Sequence, residues 1–202
     1  ITGIHVVRVW TYIAPNKGTV RRTANFVSYM LSASIAGALQ KRPDVVIATS
    51  PQFFCGWAGA IVSRLKRRRF ILEIRDLWPE SIRVVGAMRN RRLLGVLEWL
   101  ETKLYAAADH IVTVGEGYRR RLIDRGVASR KIGIISNGVD REQFAGPRTG
   151  QAVREKYALK GKYVCSYIGT VGMACGLDVV LRAASKLTSS QGERNSYASI
   201  AS

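Results

Sequence analysis

Short apolar runs alternate with longer amphipathic segments along most of the chain. A short apolar run that ends in turn residues is typical of a strand buried on both faces. The sequence therefore predicts five strands in the first part of the chain. These runs lie at Ile4–Val9, Asp44–Ser50, Phe70–Asp76, His110–Val114 and Lys131–Ser136.

Helical patterns separate these strands. Apolar residues three and four positions apart mark one side of a helix, as in the segment from Leu93 to Ala108. Further helices are predicted at Val20–Gln40, Phe53–Leu65 and Gly117–Arg125. Because strands that alternate with helices form βαβ units, the predicted fold class is α/β, with a parallel sheet flanked by helices.

The pattern changes after Gly138. A linker rich in glycine and proline is followed by a short helix, and then by one strand, a glycine-spaced turn and one helix. The last three elements are predicted at Tyr163–Ile168, Gly169–Gly176 and Leu177–Leu187, as the start of a second domain. We therefore predict a first domain at 1–140, a linker with a short helix at 141–160, the start of a second domain at 161–187, and a disordered tail at 188–202.

The charge of the chain is strongly positive, with 32 Lys and Arg against 14 Asp and Glu and a net charge of +18. Such a surface attracts nucleotide phosphates, anionic lipid headgroups or nucleic acid. The densest run is Arg64–Arg69, which follows a predicted helix. It either stabilises the helix C-terminus or binds an anionic membrane surface, for which Arg67, Arg68 and Arg69 are the candidates.

The uncharged segment Ala24–Leu39 is too short and too often interrupted by polar residues for a spanning helix, which indicates a buried or membrane-facing helix. The cysteines Cys55, Cys165 and Cys175 lack metal-binding spacing and indicate reduced thiols. We expect no metal site and no secretory signal. The expected location is the cytoplasm, either free or on the inner face of the cytoplasmic membrane.

Ligands of an open parallel sheet bind beyond the carboxyl ends of its strands. The segment Arg75–Ser81 occupies such a position and combines a guanidinium, an indole and two carboxylates. It is either a helix cap, since Pro79 and Glu80 suit a helix N-terminus, or a binding loop for a sugar or lipid-linked sugar. Asp76, Trp78 and Glu80 are its candidate residues.

The glycine-spaced turn Gly169–Gly176 lies between a predicted strand and a predicted helix. Glycine lets the backbone approach phosphate oxygens, and a following helix offers unpaired N–H groups. The turn matches neither the dinucleotide-binding pattern nor the P-loop, which excludes those two motifs as its explanation.

Five strings in this order resemble family-four glycosyltransferases, in the branch that builds colanic acid, O-antigen and capsule repeats. They are PDVVIATSP from Pro43, LEIRDLWPES from Leu72, LYAAADHIV from Leu104, ISNGVD from Ile135 and YIGTVGMACGLD from Tyr167. The resemblance covers about Gly3–Leu187. It implies two Rossmann-like domains in the GT-B architecture, hexosyl transfer from a nucleotide-sugar with retention, and neither metal nor cofactor. The implied acceptor is lipid-linked or a saccharide, and no nucleic-acid partner is expected.

The same resemblance assigns roles to individual positions. Asp76 and Glu80 are the catalytic candidates. Ser50, Arg75 and Trp78 belong to the acceptor side. Gly169, Thr170, Gly172 and Asn137 belong to the donor side.

The chain also departs from the family pattern. It begins beyond the usual first strand and glycine-rich donor loop, and it contains no pair of glutamates eight residues apart. We therefore expect a chain truncated at both ends that binds nucleotide sugars weakly or not at all and shows no transfer alone. Two alternatives stay open: a catalytically inactive remnant, and a basic α/β domain that binds anions or nucleic acid.

Overall fold

A computed structural model of the chain describes residues 3–13, 19–50, 53–77, 91–142, 145–146, 150–161, 164–172 and 175–190. The chain divides into two units, Ile1–Gly138 and Val139–Ser202. In the described part of the chain, no helix is long and apolar enough to cross a membrane.

The first unit alternates helices and strands. Its helices are α1 (Thr19–Leu39), α2 (Phe53–Lys66), α3 (Arg91–Ala107) and α4 (Glu116–Asp124). Its strands are β1 (Val45–Ser50), β2 (Arg69–Ile74), β3 (His110–Thr113) and β4 (Ile132–Ile134). Four of the five predicted strands and all four predicted helices of this unit are confirmed, with ends that differ by a few residues.

The four strands form one parallel sheet in the order β1-β2-β3-β4. Among the described residues, one helix lies between each strand and the next, and such crossovers in parallel sheets are right-handed. Because the sheet grows in a single direction, α2, α3 and α4 all lie on the same face. The first unit is therefore a Rossmann-like α/β domain, which confirms the predicted fold class.

The core lies between this sheet face and the helices. Alternate residues of β2 face α2 and are buried, namely Phe70, Leu72 and Ile74. Gly59 lets α2 approach closely, because a Cβ there would lie 2.5 Å from the Cβ of Ala48. The residues between them in sequence, such as Glu73 on β2, point to the opposite face of the sheet.

The predicted strand at Ile4–Val9 is wrong, since these residues pair with no strand in the described part of the chain. The segment that follows lies along α1, whose side chains bind its backbone. Ser32 Oγ donates to the carbonyl of Trp10 at 2.6 Å, and Asn25 Nδ2 donates to the carbonyl of Tyr12 at 2.6 Å. Side chains of α1 thus make the hydrogen bonds to these backbone carbonyls that a neighbouring strand would otherwise make.

The second unit contains α5 (Gln151–Lys156) and α6 (Leu177–Ser190). The strand predicted at Tyr163–Ile168 is wrong for its described residues, 164–168, which pair with no strand. A lone extended segment without a partner leaves its backbone groups unpaired, so sequence pattern alone does not make it a strand. The helix α6 continues through 188–190, where we predicted the tail to begin, and 191–202 lie outside the described residues.

Candidate functional site

The carboxyl ends of the four strands meet at one edge of the sheet, which we call the carboxyl edge. The register sets Ser50 beside Ile74, Ile74 beside Thr113, and Thr113 beside Ile134. The residues that follow each strand are therefore neighbours in space. This edge brings together three of the segments that the sequence singled out.

Arg75 and Asn137 meet at the carboxyl edge. Arg75 Nη2 donates a hydrogen bond to Asn137 Oδ1 at 3.1 Å, and both residues are exposed. The family resemblance implies an acceptor-side role for Arg75 and a donor-side role for Asn137. The structure places both in one polar contact that links the ends of β2 and β4.

Ser50 fixes the backbone that carries Asp76. Ser50 Oγ donates to the carbonyl of Asp76 at 3.1 Å, which holds the turn after β2 against the end of β1. Ser50 and Asp76 also line a cavity of about 10 Å³ that reaches towards Glu101 and Tyr105. That volume suits about one water molecule. The cavity is therefore too small to hold a sugar ring.

Glu73 is a residue of this edge that the sequence analysis missed. Thr49 Oγ1 donates to Glu73 Oε2 at 2.6 Å, between two residues that pair across β1 and β2. Alternation along β2 places Glu73 on the same side as Arg75. The sequence signal that could have identified Glu73 is its position as the single carboxylate inside the apolar run Phe70–Ile74.

A buried polar network lies behind the cavity. Glu101 is only 3% exposed, and its carboxylate accepts hydrogen bonds from the Tyr105 hydroxyl and from Arg125. Burial, together with the neighbouring Glu101 charge, raises the pKa of Tyr105 far above its ordinary value. Tyr105 therefore stays a hydrogen-bond donor, and the network joins α3 to the end of α4.

Two predicted site residues, Trp78 and Glu80, lie outside the described residues. The candidates Gly169, Thr170 and Gly172 lie in the second unit, in an exposed turn before α6. Two hydrogen bonds hold this turn. The Tyr167 hydroxyl donates to the carbonyl of Thr170 at 3.0 Å, and Cys175 Sγ donates to the same carbonyl at 3.1 Å.

The basic candidates lie away from the carboxyl edge. Arg67 and Arg68 follow α2, and Arg69 begins β2, so all three belong to the amino edge of the sheet. Arg67 and Arg69 are exposed, and Arg68 is half-buried. The described residues contain no group of three or more His, Cys, Asp or Glu side chains that could hold a metal ion.

The comparisons with known proteins identify the family of the first unit. A family model described as a glycosyl transferase 4-like domain matches residues 1–138, which is the first unit and more than half of the 202 residues. A search of curated proteins found no match. With its parallel sheet and polar carboxyl edge, the chain belongs to the glycosyl transferase 4-like family.

Proposed function

We propose that the first unit supplies the acceptor side of a retaining glycosyltransferase. The reaction moves a hexose from a nucleotide-sugar to a lipid-linked or saccharide acceptor in the synthesis of colanic acid, O-antigen or capsule repeats. The observation that carries this proposal is the convergence of Ser50, Asp76, Arg75 and Asn137 at the carboxyl edge, where ligands of open parallel sheets bind.

Asp76 is the proposed orienting carboxylate for the acceptor hydroxyl. Its backbone is held by Ser50, and its side chain is half-buried beside the cavity. A positioned carboxylate accepts the proton of a hydroxyl nucleophile and aligns its oxygen with the anomeric carbon. Glu80 is the proposed second carboxylate, as the family resemblance implies, and the indole of Trp78 is the proposed stacking surface for the sugar.

The Arg75–Asn137 contact and Glu73 give the same edge a second set of polar groups. A guanidinium and an amide bind phosphate or hydroxyl oxygens, while the carboxylate of Glu73 accepts hydroxyl protons. Thr49 donates a hydrogen bond to one oxygen of the Glu73 carboxylate. Among the described residues, none donates a hydrogen bond to its other oxygen. We propose that Glu73 binds a hydroxyl of the acceptor saccharide.

The second unit carries the proposed donor contacts. Glycosyl transfer without a metal needs backbone N–H groups and cations to stabilise the leaving diphosphate. The turn containing Gly169, Thr170 and Gly172 precedes α6, whose N-terminal N–H groups suit that role. Neither a metal nor a cofactor takes part in the proposed reaction.

Asp76→Asn tests the proposal in a longer chain that carries both the acceptor side and the donor side. We expect turnover to fall about 100-fold, because the amide cannot accept the hydroxyl proton, while the thermal midpoint stays unchanged. Transfer is measured as label from radiolabelled UDP- and GDP-sugars that enters a membrane lipid extract.

Asp124→Asn is the matched control, since Asp124 is exposed at the end of α4. It should leave turnover unchanged. Full activity of Asp76→Asn would indicate that the segment around Asp76 serves only as a helix cap. No incorporation from any donor would count against the transfer proposal itself.

A further inference from the structure

Some cations at the amino edge of the sheet stabilise helix ends. Lys66 Nζ donates to the carbonyl of Gln40 at 2.6 Å, and Arg42 Nε donates to the carbonyl of Lys66 at 2.9 Å. These bonds tie the C-terminal ends of α1 and α2 together, where helix dipoles favour positive charge. Arg67 and Arg69 are exposed, and in the described part of the chain their side chains make no hydrogen bond of this kind. We call Lys41, Arg42, Lys66, Arg67, Arg68 and Arg69 the basic cluster.

Arg67 occupies a backbone position that glycine normally fills. Its φ is +53°, in the left-handed region, directly after α2. The amides of Arg67 and Arg68 donate to the carbonyls of Arg64 at 3.2 Å and Ser63 at 2.9 Å, which is the bonding pattern of a glycine-terminated helix. Because L-residues are strained in this region, arginine terminates α2 less favourably than glycine would.

An apolar stripe runs along α1 towards the basic cluster. Leu31, Ile35 and Leu39 recur every four residues and are 54%, 63% and 80% exposed. We call these three residues the apolar stripe. No charged residue lies between Thr23 and Gln40. Trp10, which is 70% exposed, lies beside the stripe, because Ser32 binds its carbonyl.

The stripe and the cluster are continuous. Leu39, the last residue of the stripe, directly precedes Gln40, whose carbonyl accepts a hydrogen bond from the Lys66 ammonium. Lys41 and Arg42 of the cluster follow in the chain. Exposed apolar side chains with an indole, next to a group of cations, are typical of surfaces that bind anionic bilayers. A second copy of the chain is a poorer occupant, since pairing would bring two basic clusters of the same charge together.

We propose that the apolar stripe and the basic cluster form a docking surface for an anionic phospholipid bilayer. The apolar side chains enter the headgroup region, and the cations bind lipid phosphates. The proposal does not depend on sugar transfer, so loss of transfer activity and loss of membrane binding are separate results.

Vesicle flotation of the whole chain tests the surface. We expect binding to phosphatidylcholine vesicles that contain phosphatidylglycerol, no binding to pure phosphatidylcholine vesicles, and weaker binding as salt increases. Each cation near such a surface contributes about fivefold in affinity. Replacing Arg67, Arg68 and Arg69 with alanine together should therefore lower vesicle affinity roughly 100-fold.

Two controls match the substitutions. Replacing Arg119, Arg120 and Arg121 on α4 with alanine removes the same charge elsewhere and should change affinity far less. Leu31→Ser with Ile35→Ser should lower vesicle affinity about tenfold, because less apolar surface enters the bilayer. Val153→Ser with Val179→Ser changes exposed apolar residues of the second unit and should leave affinity unchanged.

Arg67→Gly separates stability from binding. It removes the strained backbone and one cation, so the thermal midpoint should rise by about 2 °C while vesicle affinity falls about fivefold. Ala158 also has a left-handed φ, of +51°. Ala158→Gly removes the same kind of strain in the second unit and should leave vesicle affinity unchanged.

Several outcomes would overturn the proposal. Equal losses of vesicle affinity in the two arginine triple variants would show that overall charge, rather than the basic cluster, causes the binding. Equal binding to both kinds of vesicle, or binding to neither, would remove the anionic bilayer as the partner. If the Leu31 and Ile35 variant abolished self-association in sedimentation and left vesicle binding intact, the stripe would be a dimer interface. Cluster-dependent binding of duplex DNA without vesicle binding would assign the cluster to nucleic acid.

Discussion

Tyr105 shows how single residues behind the carboxyl edge are held. Its hydroxyl donates to the buried carboxylate of Glu101, which also accepts Arg125 from the end of α4. A buried carboxylate without such partners would be strongly destabilising, so the three side chains act as one unit. The network backs the cavity that Asp76 and Ser50 line, and it keeps α3 in a fixed position beside them.

The raised pKa of Tyr105 predicts a pH effect on stability. Above the ordinary tyrosine pKa of 10.0, the unfolded chain releases this proton while the folded chain keeps it. The free energy of unfolding should therefore fall by up to about 1.4 kcal/mol per pH unit above that pKa, and the stability from this group is present below it.

Tyr105→Phe isolates this contribution. Urea unfolding on both sides of the tyrosine pKa should give a shallower fall for the phenylalanine variant than for the unsubstituted chain. The variant should also lose about 1 kcal/mol at neutral pH with the lost hydrogen bond. Identical slopes for the two proteins would contradict the assignment.

At the scale of elements, the close approach of α2 to the sheet is the main packing feature. Gly59 leaves room for Ala48 and Phe70, and Gly56 leaves room for Leu104 and Leu72. Small residues on this helix let the apolar face of β2 be covered directly by backbone. The helix covers β1 and β2, whose register sets their carboxyl ends side by side and with them Ser50 and Asp76.

Gly59→Ala tests this packing. The added Cβ would lie 2.5 Å from the Cβ of Ala48 and 2.9 Å from the Phe70 ring, so the free energy of unfolding should fall. The expected loss is about 1–3 kcal/mol, measured by chemical unfolding.

Gly95→Ala is the matched control for the same substitution in a helix. Gly95 lies on α3, and a Cβ there would meet nothing within 4 Å. Alanine should therefore stabilise the helix by about 0.5–1 kcal/mol. A loss of stability at both positions would contradict the conclusion that Gly59 is needed for the packing of α2 on the sheet.

At the scale of the whole molecule, the buried residues that the structure describes belong to the first unit. The core cluster that includes Phe70, Leu104 and Ile111 draws all its members from that unit. The described residues from Val139 onwards include none that is buried. Apolar burial is the dominant stabilising term in folding, so the two units differ in their capacity to fold alone.

A chain that ends at Gly138 is expected to unfold cooperatively, with most of the stability of the 202-residue chain. The separate chain from Val139 onwards is expected to show no cooperative transition. Circular dichroism during heating measures both. A cooperative transition of the second piece, or none of the first, would contradict the distribution of core residues.

Sequence alone located the helices and most strands of the first unit. Periodicity identifies an element wherever one side of it is buried, as at Phe70–Ile74 and along α3. Characteristic strings such as that around Asp76 identified the family. The same local patterns failed at Ile4–Val9 and 164–168, because a strand also needs a partner that the pattern does not contain.

Tertiary structure alone decided which distant residues meet. The Arg75–Asn137 contact joins residues that are 62 positions apart, and the Thr49–Glu73 contact depends on the register of β1 against β2. The roles of Lys66 and Arg42 at helix ends, and the left-handed position of Arg67, follow from how α1 and α2 end side by side. Sequence pattern reports whether a residue is buried or polar, whereas its partner is set by packing between elements.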